Sequence, residues 1–336
     1  MGEMTHVERV AAVLRGERPD RPPVSFWHHF AADECHGRAA VVAHLRHLER
    51  FDLDFLKVMN DNPYPTTRDV RSAGDLRDLP LLHGDEDTYG RQLELIRSLN
   101  AELAGRVMMV STLFNAWAVL RRIVTPKRNG THKPPVLGGP FNPADARMCE
   151  LLEEDRAVFA TAIATVATSQ ANFARRCIEA GADGVFLSVR DDWTAAGPAG
   201  HSVYEELVGP GDREILLAAG GGRFNMLHVC GVPQALERFA KYPVAVLNWA
   251  DHAAGPAIGQ VAGRIGPAIA GGVDNLGSLP RGRPADVEDE VRGTLVQAKD
   301  HPMLITPGCT YDPDAVPDEN LRAIARAVRT IAGEGH

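Results

Sequence analysis

Eight short apolar runs, separated by stretches of helix length, constrain this chain more than any other feature of it. They are PVSFW (23–27), FLKVM (55–59), VMMVSTLF (107–114), GVFLSV (184–189), FNMLHVC (224–230), VAVLNWA (244–250), AIAGGVD (268–274) and MLITPG (303–308). Most are continuously apolar, as parallel strands buried on both faces are. The segments between them carry helical spacing. HVERVAAVLR (6–15) places apolar side chains on one face, 155–180 is a long amphipathic stretch ending before a C-cap candidate, Gly181, and 318–333 opens on an N-cap candidate, Asp318, and closes near Gly333. Strands alternating with helices build right-handed βαβ units. Eight of them predict an α/β protein: a single (β/α)8 TIM barrel spanning 1–336, with an extra N-terminal helix and long loops over the C-terminal face. An open doubly wound sheet is the competing arrangement, but it usually has fewer strands, and no G-x-G-x-x-G follows the first run. Two segments, 61–105 and 115–155, are longer than one helix and a loop, and TPKRNGTHKPPVLGGP (125–140) reads as a loop over the barrel mouth.

Composition narrows the function. With 44% hydrophobic and 24% charged residues, the chain has the balance of a soluble globular protein. Its net charge of −8 comes from scattered acidic side chains, which argues against nucleic acid or an anionic membrane as the main partner. Five cysteines, an odd number at irregular spacing, predict no disulfide framework and a reducing compartment. The N-terminal stretch is charged, without an apolar signal core, and no apolar run approaches the ~18 residues of a membrane span, so a cytoplasmic protein is expected.

In such a barrel the chemistry gathers at the C-terminal ends of the strands. Reading what ends each run gives Trp27 and His28, Asn60, Asp191 and Asp192, His228 and Cys230, Asn248 with Asp251 and His252, Asp274 and Asn275, and Cys309. Trp27, His28, Asn60, Asp192 and Asp274 are candidates to contact substrate, and Asp251 and Asn248 to orient a reacting group. Bland readings stand beside these. Asp191 and Asp192 suit helix caps, Asp274-Asn275 suits a turn, Gly220 to Gly222 form the turn into the fifth run, and Cys35, Cys149 and Cys177 are bystanders. The sharpest pattern is His228-x-Cys230 with Cys309. Residues i and i+2 of a strand share a face, so His228 and Cys230 aim together, and Cys309 reaches the same point from the last run. One imidazole and two thiolates are donors that zinc prefers, and three ligands leave a position open for catalysis. Cysteine is also a small buried hydrophobe, and spacing alone leaves both readings standing.

With those residues placed, the chain resembles the uroporphyrinogen decarboxylase superfamily. The likeness runs through ERVAAVLRGERPDRPPV (8–24), AGADGVFLS (180–188), LHVCG (227–231), GGVDN (271–275) and ITPGCTYDPDAVPDENLRAIARAV (305–328). The superfamily's fold is a (β/α)8 barrel. The tetrapyrrole decarboxylases within it carry an R-Q-A-G-R-Y type motif where this chain has VSFWHHFAADECHGR, and a histidine where Cys309 stands. The resemblance is nearer to the zinc-dependent methylcobamide:coenzyme M methyltransferase branch, whose H-x-C…C signature maps onto His228, Cys230 and Cys309. It implies a methyltransferase with zinc as cofactor, a corrinoid on a partner protein as methyl carrier, and a small thiol as acceptor. Some superfamily members are homodimers. Two alternatives remain: a decarboxylase or lyase for another carboxylated substrate, and a non-catalytic zinc-binding partner whose fourth ligand comes from His28, His29 or His252.

Overall fold

A computed structural model describes residues 3–65, 69–125, 143–196 and 200–334. Seven of the eight runs form strands: β1 (Phe55–Val58), β2 (Met108–Phe114), β3 (Gly184–Val189), β4 (Met226–Val229), β5 (Val246–Trp249), β6 (Ala268–Val273) and β7 (Met303–Pro307). They make one parallel sheet in sequence order, β1 through β7. This is an α/β fold with a curled sheet. The Gly- and Pro-rich segment expected over the mouth lies outside the described residues from 126 onward.

The first run departs from expectation. Instead of an eighth ladder it makes a single parallel bridge, Val24 to Ile305 of β7. Its sequence explains why. Pro22 and Pro23 have no N–H to give, and the Val24 N–H is taken by the Asp54 carboxylate at 2.7 Å. The segment still meets both edge strands: Ser25 N donates to Ile305 O, Ile305 N to Pro23 O, and Asp54 N to Val24 O.

The strands are buried on both faces because each alternates between two apolar clusters. Phe55, Met108, Val110, Phe186, Phe224, Met226, Val246, Ala270 and Leu304 form an interior cluster with Trp27 and Met59. Leu56, Val58, Met109, Leu187, Leu227 and Leu247 face the surrounding helices. The helix His6–Leu14 starts with a Thr5–Glu8 capping box and adds Val10 and Val13 to the interior cluster. Its Arg9 bonds Asp54, the residue before β1, at 2.7 Å, so this helix lies across the N-terminal end of the sheet.

Helix boundaries follow their caps. The long helix Arg156–Glu179 begins where the Asp155 side chain accepts from Val158 N, and Gly181 follows its end with φ +107°. The last helix, Asp318–Glu334, includes Asp318 as its first residue instead of using it as the cap. The long segment 61–105 contains a 3-10 turn, Ala73–Leu76, and the helix Asp87–Leu103; 115–155 contains the helices Ala116–Val124 and Pro143–Glu154.

Candidate metal centre

His228, in β4, pairs in register with Asn248 of β5. The register brings their side chains together, and His228 Nδ1 lies 2.6 Å from Asn248 Oδ1. The direction of the Asn248 amide is fixed independently, because its Nδ2 donates to the carbonyls of Ala270 at 2.8 Å and Pro307 at 3.2 Å. The atom facing the ring is therefore an acceptor, so Nδ1 carries the proton. Nε2 keeps its lone pair, which is the tautomer a metal-binding imidazole needs.

Cys230 follows β4 directly and is anchored by its N–H on Val189 O at 2.8 Å. Two residues from His228, it shares the same face. Gly231 then turns the chain at φ +85°. A Cβ there would stand 2.4 Å from the Asp192 carboxylate. Cys309 comes from the end of β7 and is brought across by Gly308. A Cβ on Gly308 would lie 2.5 Å from Ala250 Cα and 3.0 Å from Trp249 O, so only glycine lets the ends of β5 and β7 pass this closely. The donor atoms of His228, Cys230 and Cys309 all fall within 4.8 Å of one another, the histidine a buried residue and the two cysteines half-buried ones. Zinc bonds of about 2.0–2.3 Å place tetrahedral ligand atoms roughly 3.3–3.8 Å apart, so small side-chain rotations would seat the ion. Soft sulfur donors, an imidazole in the right tautomer and this spacing fit a zinc ion. Among the described residues no further histidine, cysteine or carboxylate joins the three.

The electrostatics agree with a thiolate site. The neighbouring Cys230 holds the Cys309 thiol below its ordinary range, while Cys309 and burial push Cys230 up. Thr310 Oγ1 stands 3.8 Å from the Cys309 sulfur. Lys57, in the middle of β1, was not singled out from the sequence, although a lysine inside an otherwise apolar run is a visible signal. Its ammonium is buried beneath the site and lowered to about 8 by burial, against the opposing pull of Cys309, Asp61 and Cys230.

The other sequence candidates are distributed as follows. Asn248 is fully buried, its amide bonded to His228, to the carbonyls of Ala270 and Pro307 and, at 3.4 Å, to Thr306 Oγ1. Asp251 accepts from Gly272 N at 3.1 Å and lies 3.4 Å from His252, and burial raises it to about 6. No hydrogen bond or ion pair found among the described residues joins it to the three donors. Trp27 is an interior residue, its ring edge-on to Phe186 at 5.3 Å. His28 bonds the His29 carbonyl at 2.9 Å and packs on Phe30, His47 and Tyr311; burial lowers its basicity. Asn60 holds a turn, donating to Thr112 O and accepting from Asn62 N. Asp192 is ion-paired with Arg190, beside Gly231. Asp191 accepts from Gln234 N and Ala235 N at the start of the short helix Leu236–Phe239. Asp274 accepts from Leu276 N at 2.9 Å, a side-chain turn. Cys177 is buried on the helix Arg156–Glu179.

Fold and site together define a class: an α/β protein with a parallel curled sheet and a His-Cys-Cys constellation at the C-terminal ends of its strands. The chain belongs to the uroporphyrinogen decarboxylase (URO-D) family, whose model matches residues 48–331. No curated protein matches it in sequence. Among solved structures it is similar to a methyltransferase from Methanosarcina mazei, with a TM-score of 0.74 and 17% identity over 98% of this chain and 99% of that one. At that identity the likeness establishes the fold. Looser matches are a B12-independent methionine synthase from Shewanella sp. W3-18-1 (TM-score 0.46, 10% identity, 83% and 71% of the two chains) and a putative one from Listeria monocytogenes (TM-score 0.48, 12% identity, 97% and 86%). No described helix is long and apolar enough to cross a membrane.

Proposed function

We propose that this protein is a zinc-dependent methyltransferase that moves a methyl group between a corrinoid on a separate carrier protein and a small thiol acceptor. The observation that carries the reading is the convergence of His228, Cys230 and Cys309 within 4.8 Å, on a family fold shared with a methyltransferase. The sheet then reads as a (β/α)8 barrel with 23–27 as its eighth member, and the carrier docks over the C-terminal ends of the strands. Zinc bound by the three donors would act as a Lewis acid, making a ligated thiol a thiolate near neutral pH.

The chain's own residues do the rest. Asn248 holds the His228 proton on Nδ1 and so presents Nε2. Cys230 and Cys309 bring negative charge, which keeps an acceptor sulfur electron-rich. Trp27, Phe186 and Lys57 fill the interior below and exclude water from that side. The carrier's methyl-corrinoid would supply the methyl group and keep the carbon–cobalt electron pair, while the acceptor sulfur would give its proton to solvent and take the methyl carbon.

The decarboxylase reading is favoured by the family's description alone, and two sulfur donors give it no role. A closed structural site would need a fourth protein donor, and none of His28, His29 and His252 belongs to the group.

The test is metal analysis of the wild type and of Cys309→Ala, followed by methyl transfer from methylcobalamin to a panel of thiols. One zinc per chain, lost together with methyl transfer in the variant, is the expected result. Unchanged zinc in Cys309→Ala removes this site from the reading.

A further inference from the structure

Packing does not explain Lys57, a charged residue in an apolar interior. It alternates with Phe55 and Met59, both in the interior cluster, so its side chain enters the same space. Only 5% of the residue is exposed. Its ammonium lies 4.5 Å from the centre of the Phe186 ring and 5.5 Å from that of Trp27, and its hydrogen-bond acceptor is the thioether of Met59 at 3.2 Å. A thioether is a weak acceptor, and aromatic faces offset only part of the cost of desolvating a cation. Among the described residues no carboxylate lies within ion-pair distance of it. Removing an ammonium from water costs several kcal/mol unless an anion compensates. Phe186, the ring beneath the ammonium, also stacks on His228 with centroids 5.4 Å apart. The anions that act on Lys57 are Cys309, Asp61 and Cys230, and Asp61 is already engaged by His29 at 2.6 Å. The Phe186 ring carries the ammonium to the flank of His228, and the metal-site sulfurs, together with Asp61, are the groups whose negative charge favours it.

The charge count gives it a role. A zinc ion with two thiolates and a neutral imidazole is uncharged. One more thiolate makes the assembly −1 in a half-buried site. We infer that Lys57 is the countercharge that lets the metal centre hold a third, substrate-derived thiolate, so that the open position prefers an anionic sulfur ligand to a neutral one. This rests on the zinc and thiol reading above. It also gives the reaction a direction-dependent discrimination, because the methylated product is a neutral thioether that Lys57 does not retain. Lys57 is a positioning residue: it acts on the charge of the site and touches neither reactant.

The experiment uses the full-length protein with cobalt(II) in place of zinc, read by metal stoichiometry and by the sulfur-to-cobalt charge-transfer band. Wild type, Lys57→Met and Lys57→Arg are titrated at pH 7 with ethanethiol, an anionic ligand once bound, and with imidazole, a neutral one. Lys57→Met conserves length and removes charge; Lys57→Gln replaces it if the methionine variant does not accumulate as folded protein. The expected result is one cobalt per chain in every variant, ethanethiol binding weakened roughly tenfold or more in the uncharged variant, recovery in Lys57→Arg, and imidazole binding unchanged. Equal ethanethiol affinity in wild type and uncharged variant overturns the inference, and so does equal weakening of both ligands, which would mark a structural role. A wild type that binds no metal, or binds cobalt without taking up ethanethiol, instead defeats the zinc and thiol reading on which the inference stands.

Discussion

Replacing Asn248 with alanine tests how the imidazole is set. In the native structure Asn248 Oδ1 accepts from His228 Nδ1 at 2.6 Å, while Nδ2 serves the buried carbonyls of Ala270 and Pro307. Alanine removes these bonds and a longer one from Nδ2 to Thr306 Oγ1 at 3.4 Å. Loss of the partner that fixes a ligand's tautomer lowers metal affinity by about 10- to 100-fold, which is about 1.4–2.7 kcal/mol. The two carbonyls left without this donor cost a further 1–3 kcal/mol or so each in folding stability. The two effects separate with a second variant. Asn248→Asp keeps an acceptor against the Nδ1 proton but sets a carboxylate against two carbonyls. Zinc affinity by chelator competition should fall in the alanine variant and hold in the aspartate variant, while urea unfolding of the metal-free proteins should show both destabilised. Wild-type zinc affinity in Asn248→Ala, or an equal loss in both variants, would refute the tautomer argument.

Gly308→Ala drives a methyl group into Ala250 Cα at 2.5 Å. The ends of β5 and β7 must part, at about 1–3 kcal/mol for an overpacked position, and zinc stoichiometry should drop because Cys309 moves with the strand. At the opposite end of the sheet, Asp20 is resisted by burial but held down to about 2 by Arg9 and by the Met4 and Arg21 N–H groups. Its folded value lies below an unfolded value of about 3.9, so the stability it adds is complete above about pH 4 and disappears as pH falls toward 2; Asp20→Asn should flatten that part of a urea-unfolding pH series. Asp212 behaves oppositely. Burial pushes it up to about 7, against the hydrogen bond from Tyr204 at 2.6 Å. With the folded value above the unfolded one, stability falls as pH rises from about 4 to 7, and Asp212→Asn should be more stable than wild type at pH 8 but not at pH 4.

The sheet was legible in the sequence because a strand buried on both faces must be apolar throughout, and seven of these runs had no other way to satisfy that pattern. The eighth failed for a local reason that the letters also carried: two prolines at its start and an aspartate, Asp54, that takes the Val24 N–H. The pairing of His228 with Cys230 was legible because strand periodicity fixes both on one face. What spacing alone left undecided was whether Cys309 arrives, and that is settled by Gly308, whose missing side chain permits the approach to Ala250.

The roles of the strand-end polar residues were harder to read, since the same residue types make catalytic groups and turns. Asp191 and Asp274 bond backbone N–H groups a short way along or across the chain, Asp192 pairs with Arg190, and Asn60 closes a turn. A periodicity gives a side chain's face but not the atom it meets. For Asn248 the structure supplies that atom: its Oδ1 meets the His228 ring and its Nδ2 two backbone carbonyls. For Lys57 the information was present in a different form. A charged residue in a run otherwise built for burial on both faces must be compensated by something the run does not contain, so the compensating anion has to come from elsewhere in the interior. Among the described residues Cys309, Asp61 and Cys230 are the groups whose charge favours the Lys57 ammonium.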